Sequence, residues 1–242
     1  MHGTSHLLRA ATATGATVAM SLTATNSSAQ PASATTPIVT KQTRAQECQD
    51  LDMVYRPRNF YPTTLAGQRR FRLQKFRIQD AILCLVNAER SSQGLPALRL
   101  TPGALGQAAS GHAADSVALR WWGRVTPGKN CVPATWDSSK CDPHINPQTR
   151  STPQSRAQAE GYGAGCRQWW IGENAYVGWG RSQVTPRAAF KAWKESRGHW
   201  LNMVKPEHKE MRVAVASGSA DPDAGSTRPA LTYVQMFGGC EQ

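Results

Sequence analysis

The chain has 242 residues, 40% of them hydrophobic, which is enough for one domain with a sizeable core. Twenty-eight lysines and arginines face sixteen acids, a formal net charge of +12. Such a field favours anionic surfaces such as cell-wall polymers, lipid headgroups or nucleic acid, and it serves plain solubility equally well.

The first thirty residues, "MHGTSHLLRAATATGATVAMSLTATNSSAQ", carry one arginine and no acid, a weakly apolar stretch from Ala10 to Leu22, then small residues. Ser27 and Ala29 occupy the small-residue positions of an export cleavage site, so residues 1–29 read as a secretory signal peptide and the mature chain as secreted and extracellular. No later stretch approaches the roughly 18 apolar residues that a spanning helix needs. Residues 30–46 are rich in Pro, Ser and Thr and read as a linker. Residues 47–78 are an N-terminal extension and the start of the first helix, and residues 79–242 form the main domain. An even number of cysteines behind an export signal argues for disulfides. Cys131 and Cys141 flank a short loop and make the simplest pair, whereas the pairing of Cys48, Cys84, Cys166 and Cys240 stays open.

From Leu65 the chain reads as helix, with Phe71, Leu73, Phe76, Ile82, Leu83 and Val86 approximating a stripe, and Gly94 ends it. Arg69, Arg70, Arg72, Lys75 and Arg77 are the densest basic cluster, either a solvated face or a polyanion site. Thr101 and Pro102 supply the start signal of a second helix that stops near Gly123. Leu105, Ala108, Ala109 and His112 share one of its faces, so His112 reads as a hydrogen-bonded core histidine. The aromatic run "RQWWIGENAYVGWG" at 167–180 reads as strand. Thr185-Pro186 starts a further helix, with Phe190 and Trp193 facing the core and Gly198 ending it. "MRVAVASG" and "LTYVQMFGG", separated by a polar loop, read as an antiparallel pair. The order does not alternate as βαβ units would, which predicts an α+β fold with helices on a mostly antiparallel sheet.

Common catalytic signatures are missing: no GxSxG, no HExxH and no P-loop. What remains is Glu173, set between Gly172 and Asn174, and the histidines His144 and His199. Glu173 needs a partner if it is buried. Two imidazoles and a carboxylate make an open zinc site with water in the fourth position. They also make a buried polar network that only fixes strand to helix.

The stretch from about 81 to 239 resembles the CAP family (cysteine-rich secretory proteins, antigen 5, pathogenesis-related proteins; the SCP domain), its bacterial branch in particular. "LVNAERSSQGLPALRLTPGAL" resembles the family's first helix and turn, and "AASGHAADSVA" its second helix. "HINPQTRSTPQSRAQAEGYGAG", "GENAYVGWG", "AWKESRGHWLNMV" and "YVQMFGG" follow in the family's order. The resemblance implies a three-layer α-β-α sandwich with a shallow cleft, and a CAP/SCP domain over residues 79–242. It assigns His144, Glu173 and His199 to the cleft, with Asn174, Ser155, Arg156 and Ser196 supporting it. Ser155 stands where relatives often have a second acid, which weakens any metal site; Glu160 is the nearest substitute. The segment carrying Cys131 and Cys141 reads as an insertion, either a wall of the cleft or a stapled decoration.

These features imply a secreted binding module for a lipid-like or anionic cell-envelope component. No cofactor is required, though zinc or another divalent metal on His144, His199 and Glu173 is one option. The alternatives are a zinc-dependent hydrolase using the same three residues, with Glu173 catalytic, and polyanion binding through Arg69–Arg77. Nucleic acid is the least favoured partner and would betray itself by steep salt dependence.

Overall fold

The computed structural model describes residues 47–123 and 142–242. The expected signal peptide, the expected linker and the expected Cys131–Cys141 pair lie outside these residues. In chain order the elements are α1 (Leu65–Ser92), β1 (Arg99–Leu100), α2 (Ala104–Leu119), α3 (Pro153–Ala159), β2 (Gln168–Trp179), α4 (Pro186–Glu195), α5 (Arg197–Met203), β3 (Glu210–Ser217) and β4 (Ala230–Glu241). The four strands lie in the order β1-β3-β4-β2. β4 is antiparallel to both β2 and β3, while the two residues of β1 run parallel to β3.

Side-chain alternation along the strands divides the core in two. Met211 and Val213 of β3 and Leu231, Tyr233 and Phe237 of β4 pack with Ile78, Ile82 and Val86 of α1, Trp193 of α4 and Met203 of α5. Ala214, Val234 and Met236 turn to the other face, against Leu105, Ala108 and Ala109 of α2 and Ala157 of α3. The result is the three-layer α-β-α sandwich, an α+β fold.

The caps follow the local chemistry. After Gln93, Gly94 takes φ +69°. Leu95 N donates to Arg90 O and Gly94 N to Ser91 O, the pattern in which a left-handed residue closes a helix. Thr185 accepts from Ala188 N, as its sequence position predicts. Two expectations need correction. Thr101 does not cap α2: Leu100 is drawn into the sheet beside Met211, so the helix starts only after Gly103, at φ +105°. Gly198 does not end α4 either. That helix stops at Glu195, Ser196 adopts an extended conformation, and Gly198 lies inside α5.

Four of the cysteines are assigned: Cys48 bonds Cys84 and Cys166 bonds Cys240. The first ties the N-terminal extension to α1. The second ties the approach to β2 to the end of β4, where Trp169 and Cys240 are register partners.

Candidate functional site

Glu173 and Asn174 are neighbours on β2, an edge strand, so their side chains leave opposite faces of the sheet. Glu173 points to the α2/α3 layer and is 4% exposed; Asn174 points to the α4/α5 layer and is fully buried. A buried carboxylate needs compensation, and here it is nearly surrounded by cations or potential cations. Arg156 Nη2, from α3, donates to Oε2 at 2.7 Å. His144 Nδ1, from the loop before α3, bonds Oε1 at 2.9 Å. His112 Nε2, from α2, lies 3.7 Å from the same oxygen.

Arg156 does more than neutralise. Its Nη1 donates to the carbonyls of His144 and Ser151, at 3.1 and 2.8 Å, so one guanidinium holds both the acid and the loop that carries His144. The loop is braced at its other end by buried Asn146, which donates to Asp115 of α2 and accepts from the backbone of Gln148 and Thr149. Ser155 is occupied locally: it exchanges bonds with Thr152 in a capping box that starts α3. Glu160 is the exposed C-cap of that short helix.

On the other face Asn174 donates to the carbonyl of His199 and to Gln235 Oε1, so it positions α5 against the strand. Asn202 of α5 returns bonds to Glu173 O and Asn174 Oδ1. His199 thereby comes round the sheet edge to face His144, with ring centroids 6.2 Å apart. Ser196 is the joint between α4 and α5; its backbone N–H donates to Trp193 O, and its side chain makes no capping bond. Tyr176 packs on Trp193 and Tyr233.

Burial opposes ionisation of Glu173, but the His144 bond and the charges of His112 and Arg156 outweigh it, and the carboxyl is held below its ordinary value. Burial likewise opposes charge on His144, yet the bond to Glu173 and its charge hold the ring above its ordinary value. His199 is lowered, by burial and then by His144. Burial also lowers His112, despite Glu173. His112 Nε2 meets the Pro143 carbonyl at 2.8 Å, which fixes the ring proton on that nitrogen.

The motif order predicts two imidazoles, His144 and His199, beside Glu173. The structure supplies His144, gives the second oxygen to Arg156, and adds His112, which the helical spacing had marked only as core. The signal for His112 was its position on an alanine-lined helix face, where a histidine must find polar company. A further imidazole, His208, lies fully buried behind the strand, stacked on Phe237 at 5.2 Å with Nδ1 bonded to Asn202 O. Gly172 makes room for it: a Cβ there would stand 2.7 Å from His208 Cε1 and 3.1 Å from Asn202 Oδ1.

The cluster does not fit a zinc centre built on Glu173. Both carboxylate oxygens are engaged, and a dication there would sit against a guanidinium bonded to the same group. Among the described residues no three His, Cys, Asp or Glu side chains are arranged to hold a metal.

The model of the cysteine-rich secretory protein (CAP) family matches residues 83–237, well over half of the sequence, and the chain belongs to this family. Its fold is the CAP/SCP fold. Among solved structures, it is similar to an extracellular SCP-domain protein from Bacillus anthracis, at 20% identity and a TM-score of 0.46 over 75% of this chain and 45% of that one. It is also similar to an outer surface protein of Borrelia burgdorferi, at 13% identity and a TM-score of 0.39 over 64% and 87%. The chain spans less than half the length of the Bacillus protein. No curated protein matches the sequence.

Proposed function

We propose that this protein is an exported binding module whose cleft takes the anionic head of a lipid-like ligand through the outer edges of His144 and His199. The observation that carries this reading is the full engagement of Glu173. A carboxylate bonded at 2.7 Å by Arg156 and at 2.9 Å by His144 is a scaffold, and it is poorly placed to serve as a general base or a zinc ligand. With Nδ1 bonded to Glu173, a protonated His144 directs Nε2–H outward, and its side chain is 29% exposed. An imidazolium beside a second imidazole suits a phosphate or carboxylate head. Export is supported by the leader-like first 29 residues and by two disulfides, which persist in oxidising surroundings. Among the described residues no helix is long and apolar enough to cross a membrane.

Calorimetric titration with dodecyl phosphate tests the reading. The expected result is saturable binding that weakens about tenfold or more in His144→Gln and in His199→Ala, in keeping with loss of one charge-assisted hydrogen bond. Absence of binding to the wild type overturns it. So does a peptidase activity, enhanced by zinc, that Glu173→Gln abolishes.

A further inference from the structure

Five large hydrophobic side chains stand exposed among the described residues, and three of them lie on the first half of α1: Leu65 at 82%, Leu73 at 45% and Phe76 at 52%. Isolated exposed leucines are ordinary, but a concentration of them marks a contact surface. At about 100° per residue, Leu65, Arg69, Arg72, Leu73 and Phe76 fall within an arc of about 100° on the side of α1 away from Ile78. Ile78 is fully buried in the core, so that arc faces outward. Residues 65–79 hold five cations and no acid. Arg77 is paired with Asp50, and Lys75 lies over the Phe71 ring. The outward charge therefore comes from the exposed Arg69, Arg70 and Arg72.

We propose that this face of α1 docks on an anionic lipid surface, with Leu65, Leu73 and Phe76 entering the boundary between headgroups and acyl chains, Arg69 and Arg72 meeting the phosphates, and Arg70, about 60° beyond the arc, flanking them. Interleaving decides the partner. A polyanion in water needs the arginines alone and gains nothing from leucine and phenylalanine among them, whereas a lipid interface rewards both. A second copy would bring two arginine faces together in a chain already at +12. None of these residues belongs to the Glu173 cluster, so the inference stands apart from the cleft.

Co-sedimentation of the full chain with vesicles, with and without phosphatidylglycerol in phosphatidylcholine, tests it. The wild type is expected to bind only the vesicles that contain phosphatidylglycerol. Arg69→Gln with Arg72→Gln should weaken partitioning by about 25-fold, roughly fivefold per cation. Leu73→Ser with Phe76→Ser should weaken it about tenfold or more at an unchanged Tm, since both side chains are exposed. Lys191→Gln, which alters an exposed cation of α4 outside both this face and the cleft, should bind as the wild type does, which separates this face from the overall charge. Equal binding to pure phosphatidylcholine overturns the proposal. Loss in the arginine variant with none in the apolar one also overturns it, because the face is then a simple polyanion site. So does self-association without vesicles that Phe76→Ser abolishes, because the face is then a dimer contact.

Discussion

Arg156 and Glu173, seventeen residues apart, meet at 2.7 Å between the first turns of α3 and the middle of β2. The arginine side chain is 9% exposed and the glutamate side chain 1%. Two charges taken so far from water stand only as a pair, because either alone would keep its desolvation cost and lose its compensation.

Glu173→Gln or Arg156→Met should therefore each destabilise the fold by about 3–5 kcal/mol, and the double variant by less than the sum. Urea unfolding of the two single variants and the double variant measures the coupling. Additive losses would mean that the pair is not a unit.

The same cluster sets a pH window. Glu173 is lowered, so its contribution is present above its ordinary value of 4.5 and disappears as pH falls through the folded value. His144 is raised, so its contribution is complete below its ordinary value of 6.5 and disappears as pH rises through the folded value. Their joint contribution is full between about 4.5 and 6.5. His144→Gln should flatten the alkaline limb of stability against pH, as followed by thermal unfolding. An unchanged alkaline limb would refute the assignment to His144.

His208 behaves in the opposite sense. Burial, then the Asn202 bond working against it, leaves the ring at about 4 instead of 6.5. The unfolded chain takes up its proton first, so stability drops as pH falls from 6.5 towards 4, by about 3 kcal/mol from this residue. NMR titration should show His208 still neutral at pH 5.5, while His144 is protonated. A His208 ring that titrates near 6.5 would contradict its burial on Phe237.

Gly172 is required by space. Gly172→Ala puts a methyl against the His208 ring and the Asn202 amide, and overpacking of this kind costs about 1–3 kcal/mol. The Asn202 bonds to Glu173 O and Asn174 Oδ1 should loosen with it, which hydrogen exchange at β2 and α5 can follow.

Much of the architecture was legible along the chain. The alternation in residues 211–217 and 231–239 gave an antiparallel pair, and the aromatic run around Glu173 gave the strand beside it, because period-two burial leaves its trace in composition. Gly94 and Thr185 announced helix ends through purely local chemistry. Thr101 misled for an equally physical reason: sheet pairing at Leu100 overrode the local start signal.

The partners of Glu173 were legible only in part. Motif order places His144 and Arg156 at the cleft, but nothing in it says that Arg156 takes the second oxygen of Glu173, and His112 reads as core. Nothing in residue type records that α3 and α2 converge on one side of an edge strand. The disulfides show the same limit, since the Cys166–Cys240 bond depends on which ends of β2 and β4 lie together.

The sequence alone determined the element types, the burial of alternate strand residues and the need for Glu173 to find a counter-charge, because these follow from side-chain chemistry over a few neighbouring positions. Only the tertiary structure decided which charges answer it, which cysteines join and which helix face stays bare. Those are matters of distance between segments, and distance across a fold is set by packing of the whole chain.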